Sequence, residues 1–298
     1  MHFACSQKLS KIELMSKILI VGAGDVGGRI AIELAELGHE VWALRRTPQA
    51  NQSFSSGGKL MWSVCDVTKA ETLKLPLGLD IVISALAPSE SGMVAYEQVY
   101  VGGARALQQA LKGQSLNRQF WLSSTGVYGE DAGEWIDEAT PAQPKRDTAK
   151  LLLQAEDVVR QSPWPSTIVR LGGLYGPGRE RLLRWVRDAK PVQMTPPSWT
   201  NRLHVADAAG LVVHLVQQSL AGGRVESLLL GVDDAPTPQH EVLAWLAQQL
   251  ELPSSPDKAV VPNASQGKRI SNLALHRSGY ALSYPSFRDG YLTLLPKL

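Results

Sequence analysis

Residues 22–27 read Gly-Ala-Gly-Asp-Val-Gly, and Gly28 follows. This G-x-G-x-x-G spacing lets a chain lay backbone N–H groups against a pyrophosphate. Gly22 permits a tight turn, Gly24 lets the backbone approach the phosphates, and Gly27 or Gly28 lets a helix pack close to a strand. The run follows the apolar segment Lys17–Val21 and opens a helix, whose N-terminus adds N–H donors and partial positive charge. With Asp25 and Val26 inside it, the loop predicts dinucleotide binding. About 20 residues on, NAD sites place an Asp or Glu on the ribose 2′-hydroxyl. Here that position reads Leu44-Arg45-Arg46-Thr47, with no carboxylate. Guanidinium groups grip phosphate through a two-pronged fork. Arg45 and Arg46 therefore predict NADP in preference to NAD, which stays the second option.

The elements that must hold this loop can be read along the chain. Lys17–Val21, Glu40–Leu44, Leu60–Val64, Leu79–Ser84, Gln119–Ser123 and Thr167–Leu171 are short apolar runs, as buried parallel strands require. Between them, apolar residues recur at helical spacing: Ile30, Leu34 and Leu37; Tyr100, Ala104, Leu107 and Leu111; Leu151, Ala155, Val158 and Val159. Strands alternating with helices predict an α/β fold, a Rossmann-type doubly wound parallel sheet. A helix over Val205–Val216 and a late strand Glu226–Leu230 return to it. Residues 176–200 carry a short basic helix among prolines. From about 235 the chain reads as irregular, with short helices. These two stretches predict a small C-terminal substrate lobe of 176–200 plus 232–298, beside a dinucleotide-binding domain of 15–175 plus 201–231. Residues 1–14 read as a disordered or non-native extension.

The 298 residues are 44% hydrophobic, enough for a real core. Thirty Lys and Arg against 28 Asp and Glu leave a net charge of +2, which argues against nucleic acid or an anionic membrane as partner. No apolar run approaches the roughly 18 residues of a membrane span. Two isolated cysteines, Cys5 and Cys65, and six scattered histidines predict neither a disulfide framework nor a metal site. A cytoplasmic location and a monomer or homodimer follow as expectations. Among the tryptophans, Trp199 is the one expected at a pocket.

Further segments at strand ends add to the glycine loop: Asp66-Val67-Thr68, Ser84-Ala85-Leu86-Ala87, Ser123-Ser124-Thr125-Gly126-Val127-Tyr128-Gly129 and Leu174-Tyr175-Gly176-Pro177-Gly178-Arg179. Asn201-Arg202-Leu203-His204-Val205-Ala206-Asp207 and Lys268-Arg269-Ile270-Ser271-Asn272 follow in order. Over about residues 17 to 295 the chain resembles the extended short-chain dehydrogenase/reductases, the NAD(P)-dependent epimerase/dehydratase group. It is most similar to their atypical, YeeZ-like branch. The resemblance implies that Asp66 and Val67 sit by the adenine and that Ala85 and Leu86 line the middle of the cofactor. It implies Ser124 as the catalytic hydroxyl and Lys150 as the lysine that holds the ribose. Thr125, Arg146, Tyr175, Arg179 and Arg202 are the candidate substrate contacts, the arginines as partners for an anionic group.

One departure matters. The group uses a Tyr-x-x-x-Lys pair, and four residues before Lys150 stands Arg146. Arginine stays protonated and cannot exchange a proton. Tyr128, Tyr175 or a carboxylate from Glu130, Asp131, Glu134, Asp137 or Glu138 are the replacements at hand. Two functions therefore compete: an oxidoreductase or sugar-modifying enzyme lacking the usual tyrosine, and a non-catalytic NADP(H)-binding sensor or regulatory protein.

Overall fold

A strand buried on both faces has no polar side to alternate, and Lys17–Val21 is such a strand, with Ile18, Leu19 and Ile20 fully shielded. A computed structural model describes residues 15–258 and 264–295; the extension expected at 1–14 lies outside the described residues. β1 (Lys17–Val21) leads through the glycine loop into α1 (Asp25–Glu36), followed by β2 (Glu40–Arg45), β3 (Gln52–Ser53), β4 (Lys59–Val64) and β5 (Ile81–Ser84). A helical run comes next: α2 (Met93–Tyr96), a π-helical turn over Glu97–Gly102, and α3 (Gly103–Ala110). Then come β6 (Arg118–Ser124), β7 (Ala132–Ile136), α4 (Asp147–Arg160), β8 (Ser166–Leu171), β9 (Gly173–Tyr175) and α5 (Arg181–Arg187). β10 (Trp199–Thr200), β11 (Arg202–His204), α6 (Val205–Leu220), β12 (Leu228–Gly231) and β13 (Thr237–Pro238) follow. α7 (Gln239–Gln249), β14 (Gly267–Ile270), α8 (Leu273–Arg277) and α9 (Phe287–Leu292) complete the described chain.

The central sheet has eight strands in the order β12-β8-β6-β5-β1-β2-β4-β3. Its pairs are parallel except β3 with β4. Ile18 stands opposite Val41 on one side and Ile81 on the other, so the strand order reverses at β1. That switch point opens a crevice beyond the carboxyl ends of β1, β2 and β5. Ile30 and Leu34 of α1 and Val212 and Val216 of α6 cover one face with Ile18 and Ile20. Leu107 of α3 packs on Leu19 and Val82 of the other. Ala155 and Val159 of α4 pack on Trp121 and Ile168. The Rossmann-type α/β fold is the architecture observed.

α4 is tied to the sheet by a buried ion pair. Arg170 Nη2 lies 2.7 Å from Glu156 Oε2, and Ser123 Oγ donates to Glu156 Oε1 at 2.6 Å. Arg170 Nη1 also donates to the Tyr128 hydroxyl at 2.7 Å. Each polar group there has a partner, which is the condition for burying charge. No helix among the described residues is long and apolar enough to cross a membrane.

Smaller sheets lie beyond the main one. β13-β10-β14-β7 form a four-stranded sheet, and β9 pairs with β11. β7 lies within the acidic stretch that runs from Glu130 to Glu138. The stretch after 235 is more regular than its prolines predict. α7 spans 11 residues, and its Val242, Leu243 and Leu246 pack on Leu182, Leu183 and Val186 of α5.

Candidate functional site

The glycine loop separates what folding requires from what a ligand requires. Gly22 has φ +89°, and a Cβ there would lie 2.6 Å from the Ala85 carbonyl oxygen. A Cβ at Gly27 would lie 2.5 Å from the Gly22 carbonyl oxygen, whereas at Gly28 the nearest atom is 3.7 Å away. Gly27, not Gly28, is the close-packing glycine. A Cβ at Gly24 would meet nothing within 4 Å. The fold leaves open space at Gly24, where a pyrophosphate needs it. Gly24 caps α1 without a side chain, so the helix N-terminus keeps donors for an anion. Arg179 Nε sits 2.7 Å from Asp25 Oδ2 and Arg29 Nε 3.0 Å from Asp25 Oδ1, which places Arg179 over the loop. Burial alone would raise the Asp25 carboxyl; hydrogen bonds from Arg179 and Arg29 outweigh it and hold the group below the usual range.

A cavity of about 760 Å³ runs from this loop in both directions. At one end it is lined by Arg45, Arg46, Thr47, Asp66, Val67 and Ser89. Arg45 Nε donates to Thr47 Oγ1 at 3.0 Å, and its guanidinium stacks over Trp62. Arg46 Nη1 donates to Ser89 Oγ at 3.1 Å. Asp66 Oδ1 accepts from the Thr68 hydroxyl at 2.7 Å and from its N–H at 3.1 Å, and this holds the carboxyl below its ordinary value. Ala85 and Leu86 line the middle. The other end is formed by Tyr100, Leu122, Ser124, Leu152, Leu171 and Leu174. Ser124 lines the cavity; its Oγ accepts from the Gly126 N–H at 3.1 Å and donates to no described residue.

Several expected site residues lie elsewhere. Lys150 is a correction. Its ammonium pairs with Asp147 at 2.8 Å on the exposed side of α4, and it does not line the cavity. The buried face of α4 carries Ala149, Leu152, Ala155, Glu156 and Val159. Leu152 is the α4 residue at the cavity, and Thr148 stands one turn before it. Arg146 is the residue before the first turn of α4. A Cβ on Gly126 would lie 3.4 Å from its Nη2 and 3.3 Å from Ser124 Oγ, so the guanidinium sits beside the serine turn. Thr125 opens that turn and is not in the cavity wall.

The tyrosine replacements are engaged in packing. Tyr128 is buried, its hydroxyl held by Arg170, and burial raises its pKa. Tyr175 donates to the Ser286 carbonyl at 3.1 Å and stacks on Tyr291, with its pKa raised by burial. Neither lines the cavity, nor do Glu130, Asp131, Glu134, Asp137 and Glu138. Glu134 Oε2 accepts from the Ala132 N–H and Glu138 Oε1 from the Leu230 N–H. Arg202 is buried, with Nη2 on Thr200 Oγ1 at 2.6 Å and Nη1 unpartnered. Trp199 stacks with Arg269 and stays out of the cavity. Reading the sequence missed Ser89, Glu90 and Tyr100, which line the cavity from the loop and helical run after β5.

Residues 22–218 match the model of a family described as NAD(P)H-binding. A solved Methylobacillus flagellatus protein assigned as an NAD-dependent epimerase/dehydratase is 34% identical, with 94% of this chain and 97% of that chain covered and a TM-score of 0.77. A functionally unknown conserved protein of Silicibacter pomeroyi is 24% identical over 94% and 98%, with a TM-score of 0.72. A Bacillus cereus UDP-glucuronic acid 4-epimerase, solved with a fluorinated UDP-sugar and NAD, shares the fold at 16% identity over 92% and 96%, with a TM-score of 0.73. No curated protein matches the chain. Glycine loop, switch-point cavity and these likenesses agree: the chain belongs to the NAD(P)H-binding family, as an epimerase/dehydratase-like member of the extended short-chain dehydrogenase/reductases.

Proposed function

We propose that this protein is an NADP(H)-dependent oxidoreductase acting on a small carbonyl or sugar-like substrate. The observation that carries the reading is one continuous cavity with guanidinium groups at one end, an open glycine cradle in the middle and the Ser124 hydroxyl at the other. Arg45, Arg46 and Thr47 receive the 2′-phosphate. The α1 N-terminus and Arg179 hold the pyrophosphate. Asp66 and Val67 flank the adenine, and Ala85 and Leu86 the middle of the cofactor. A bound nicotinamide supplies or accepts the hydride. Ser124 donates a hydrogen bond to the substrate oxygen and orients it. The apolar walls from Leu122, Leu152 and Leu174 exclude water there. Residues 15–175 and 201–231 act as the cofactor domain, with the lobe of 176–200 and 232–298 over the substrate.

A second reading has its own support. α4 presents Leu152 to the cavity, with Thr148 one turn earlier, so the family's tyrosine–lysine pair has no counterpart on that face. A protein that binds NADP(H) and reports its redox state to a partner needs no such pair.

Calorimetric titration with NADPH and NADH tests the proposal. Tight NADPH binding with weak NADH binding supports it. A preference for NADH removes the arginine argument, and binding of neither removes the function altogether.

A further inference from the structure

The seven tyrosines of the chain divide by what their hydroxyls do. Tyr128 is held by Arg170, Tyr175 by the Ser286 carbonyl and Tyr280 by Asp207. Tyr284 lies against His204, and Tyr291 is buried against Tyr175. Tyr96 tilts against Tyr100, with ring centroids 5.4 Å apart. Tyr100 alone lines the cavity, at the end that also holds Ser124. Its hydroxyl makes no hydrogen bond to any described residue and is not sealed in the core.

Its backbone is also unusual. Glu97–Gly102 is a π-helical turn between two α-helical pieces. Such turns are rare, cost hydrogen-bond geometry and gather at functional sites. This one carries Gln98, Val99 and Tyr100 to the cavity wall, beside Ala95 of α2. The Tyr100 ring packs on both clusters to which α4 contributes Leu152 and Ala155, so it is held from the side facing α4.

We infer that Tyr100 is the catalytic hydroxyl of this site, delivering the proton from the helical run after β5 that the family delivers from α4. The inference rests on the NADP(H)-dependent reading above. In the reducing direction, the substrate carbonyl carbon accepts hydride from the dihydronicotinamide cofactor, which is thereby oxidised. The carbonyl π pair moves to oxygen, the Tyr100 O–H bond breaks, and that oxygen takes the proton to give the alcohol. Ser124 holds the oxygen throughout, and water at the cavity mouth reprotonates the tyrosinate. Burial, then the neighbouring Tyr96, push the Tyr100 pKa up to about 12, so the free protein keeps the proton ready to donate.

A spectroscopic titration tests this without a known substrate. A cationic nicotinamide within about 4–6 Å of the hydroxyl lowers its pKa by about 1–3 units, which brings its ionisation toward the range titrated. Tyrosinate absorbance is followed to about pH 10.5 in the free protein, the NADP+ complex and the NADPH complex, for wild type and Tyr100→Phe. Calorimetry at neutral pH establishes binding in both proteins. The expected result is tyrosinate absorbance at the top of the titration that is higher in the wild-type NADP+ complex than in every other sample, by up to one further tyrosine. Cofactor affinity stays within about threefold in Tyr100→Phe, since the ring packing remains. If both proteins bind NADP+ and titrate alike, the Tyr100 assignment is overturned while the cofactor reading stands. If wild type binds neither cofactor, the reading beneath it falls and takes the assignment with it.

Discussion

Arg46 at the start of the loop after β2 donates to Ser89 in the loop after β5, with 3.1 Å between Nη1 and Oγ. The contact spans the end of the cavity where the proposed 2′-phosphate sits, and Arg45 is already engaged by Thr47 beside it. An exposed guanidinium is worth most when a phosphate completes its fork. Arg46→Ala is expected to weaken NADPH binding about tenfold or more and leave NADH binding nearly unchanged, in line with about 1.5–3 kcal/mol for a hydrogen bond to a charged group. Ser89→Ala is expected to act in the same direction and more weakly. Parallel losses for both cofactors, measured by calorimetry at one ionic strength, would contradict a 2′-phosphate site.

Gly24 and Gly22 separate binding from folding. Gly24→Ala adds a methyl group to empty space in the protein and to the place proposed for the pyrophosphate. Its melting temperature is expected to stay near that of wild type while cofactor binding falls at least about tenfold, the effect of about 1.4 kcal/mol. Gly22→Ala meets the Ala85 carbonyl and requires positive φ, so it should destabilise the fold by about 1–3 kcal/mol. If Gly24→Ala bound cofactor normally, the loop would not hold a pyrophosphate.

Much of this was legible because parallel strands buried on both faces leave continuous apolar runs, as at Lys17–Val21, Glu40–Arg45 and Ser166–Leu171. The glycine loop was legible because its spacing has a mechanical reason. The small sheet was not: β10 and β13 have two residues each, and their pairing is set by distant partners. Lys150 was misplaced because motif spacing was followed over the apolar wheel of α4. Ala149, Leu152, Ala155 and Val159 already put Lys150 on the outer side. Tyr100 read as an ordinary core position of an amphipathic helix, since nothing in residue type announces a π-helical turn. Asp233 gave no signal either, because its burial depends on residues distant in the chain, such as Arg202, whose carbonyl accepts from the Asp233 N–H at 2.7 Å.

Asp233 makes stability depend on pH. It is 1% exposed; Oδ1 accepts from the Ala235 N–H and Oδ2 has no partner. Burial pushes its pKa from 3.8 up to about 7, against the Ala235 hydrogen bond and the attraction of Arg202, with Asp234 and Asp207 adding to the rise. A carboxyl with a raised folded-state pKa contributes fully below its unfolded value. The contribution is lost as pH rises through the folded value. Between about pH 4 and 7 this group should cost up to about 1.4 kcal/mol of stability per pH unit. Asp233→Asn is expected to flatten that part of the profile and to be more stable than wild type at pH 8. Urea midpoints at several pH values measure both, and identical profiles would show that Asp233 is ionised throughout.

The last prediction concerns α4. If the family's pair is absent because the helix presents the wrong residues, it should be restorable at the positions that face the cavity. Leu152 faces it, and Thr148 lies one turn earlier on the same side. A Thr148→Tyr/Leu152→Lys variant places a phenol and an ammonium toward Ser124. The lysine stem covers the apolar wall that Leu152 now forms, and its head reaches the proposed ribose hydroxyls. NADPH affinity should rise about tenfold through the added charge-assisted hydrogen bonds. NADPH oxidation with a panel of carbonyl compounds should rise by at least about the same factor, the low end for a placed proton donor being larger still. Arg146→Tyr is the control. It completes the pair with Lys150 by spacing alone, but Lys150 is turned to solvent and bound to Asp147, so neither binding nor turnover should gain. A gain in Arg146→Tyr with none in the double variant would mean that α4 rotates when cofactor binds, and that spacing was the better guide to its face.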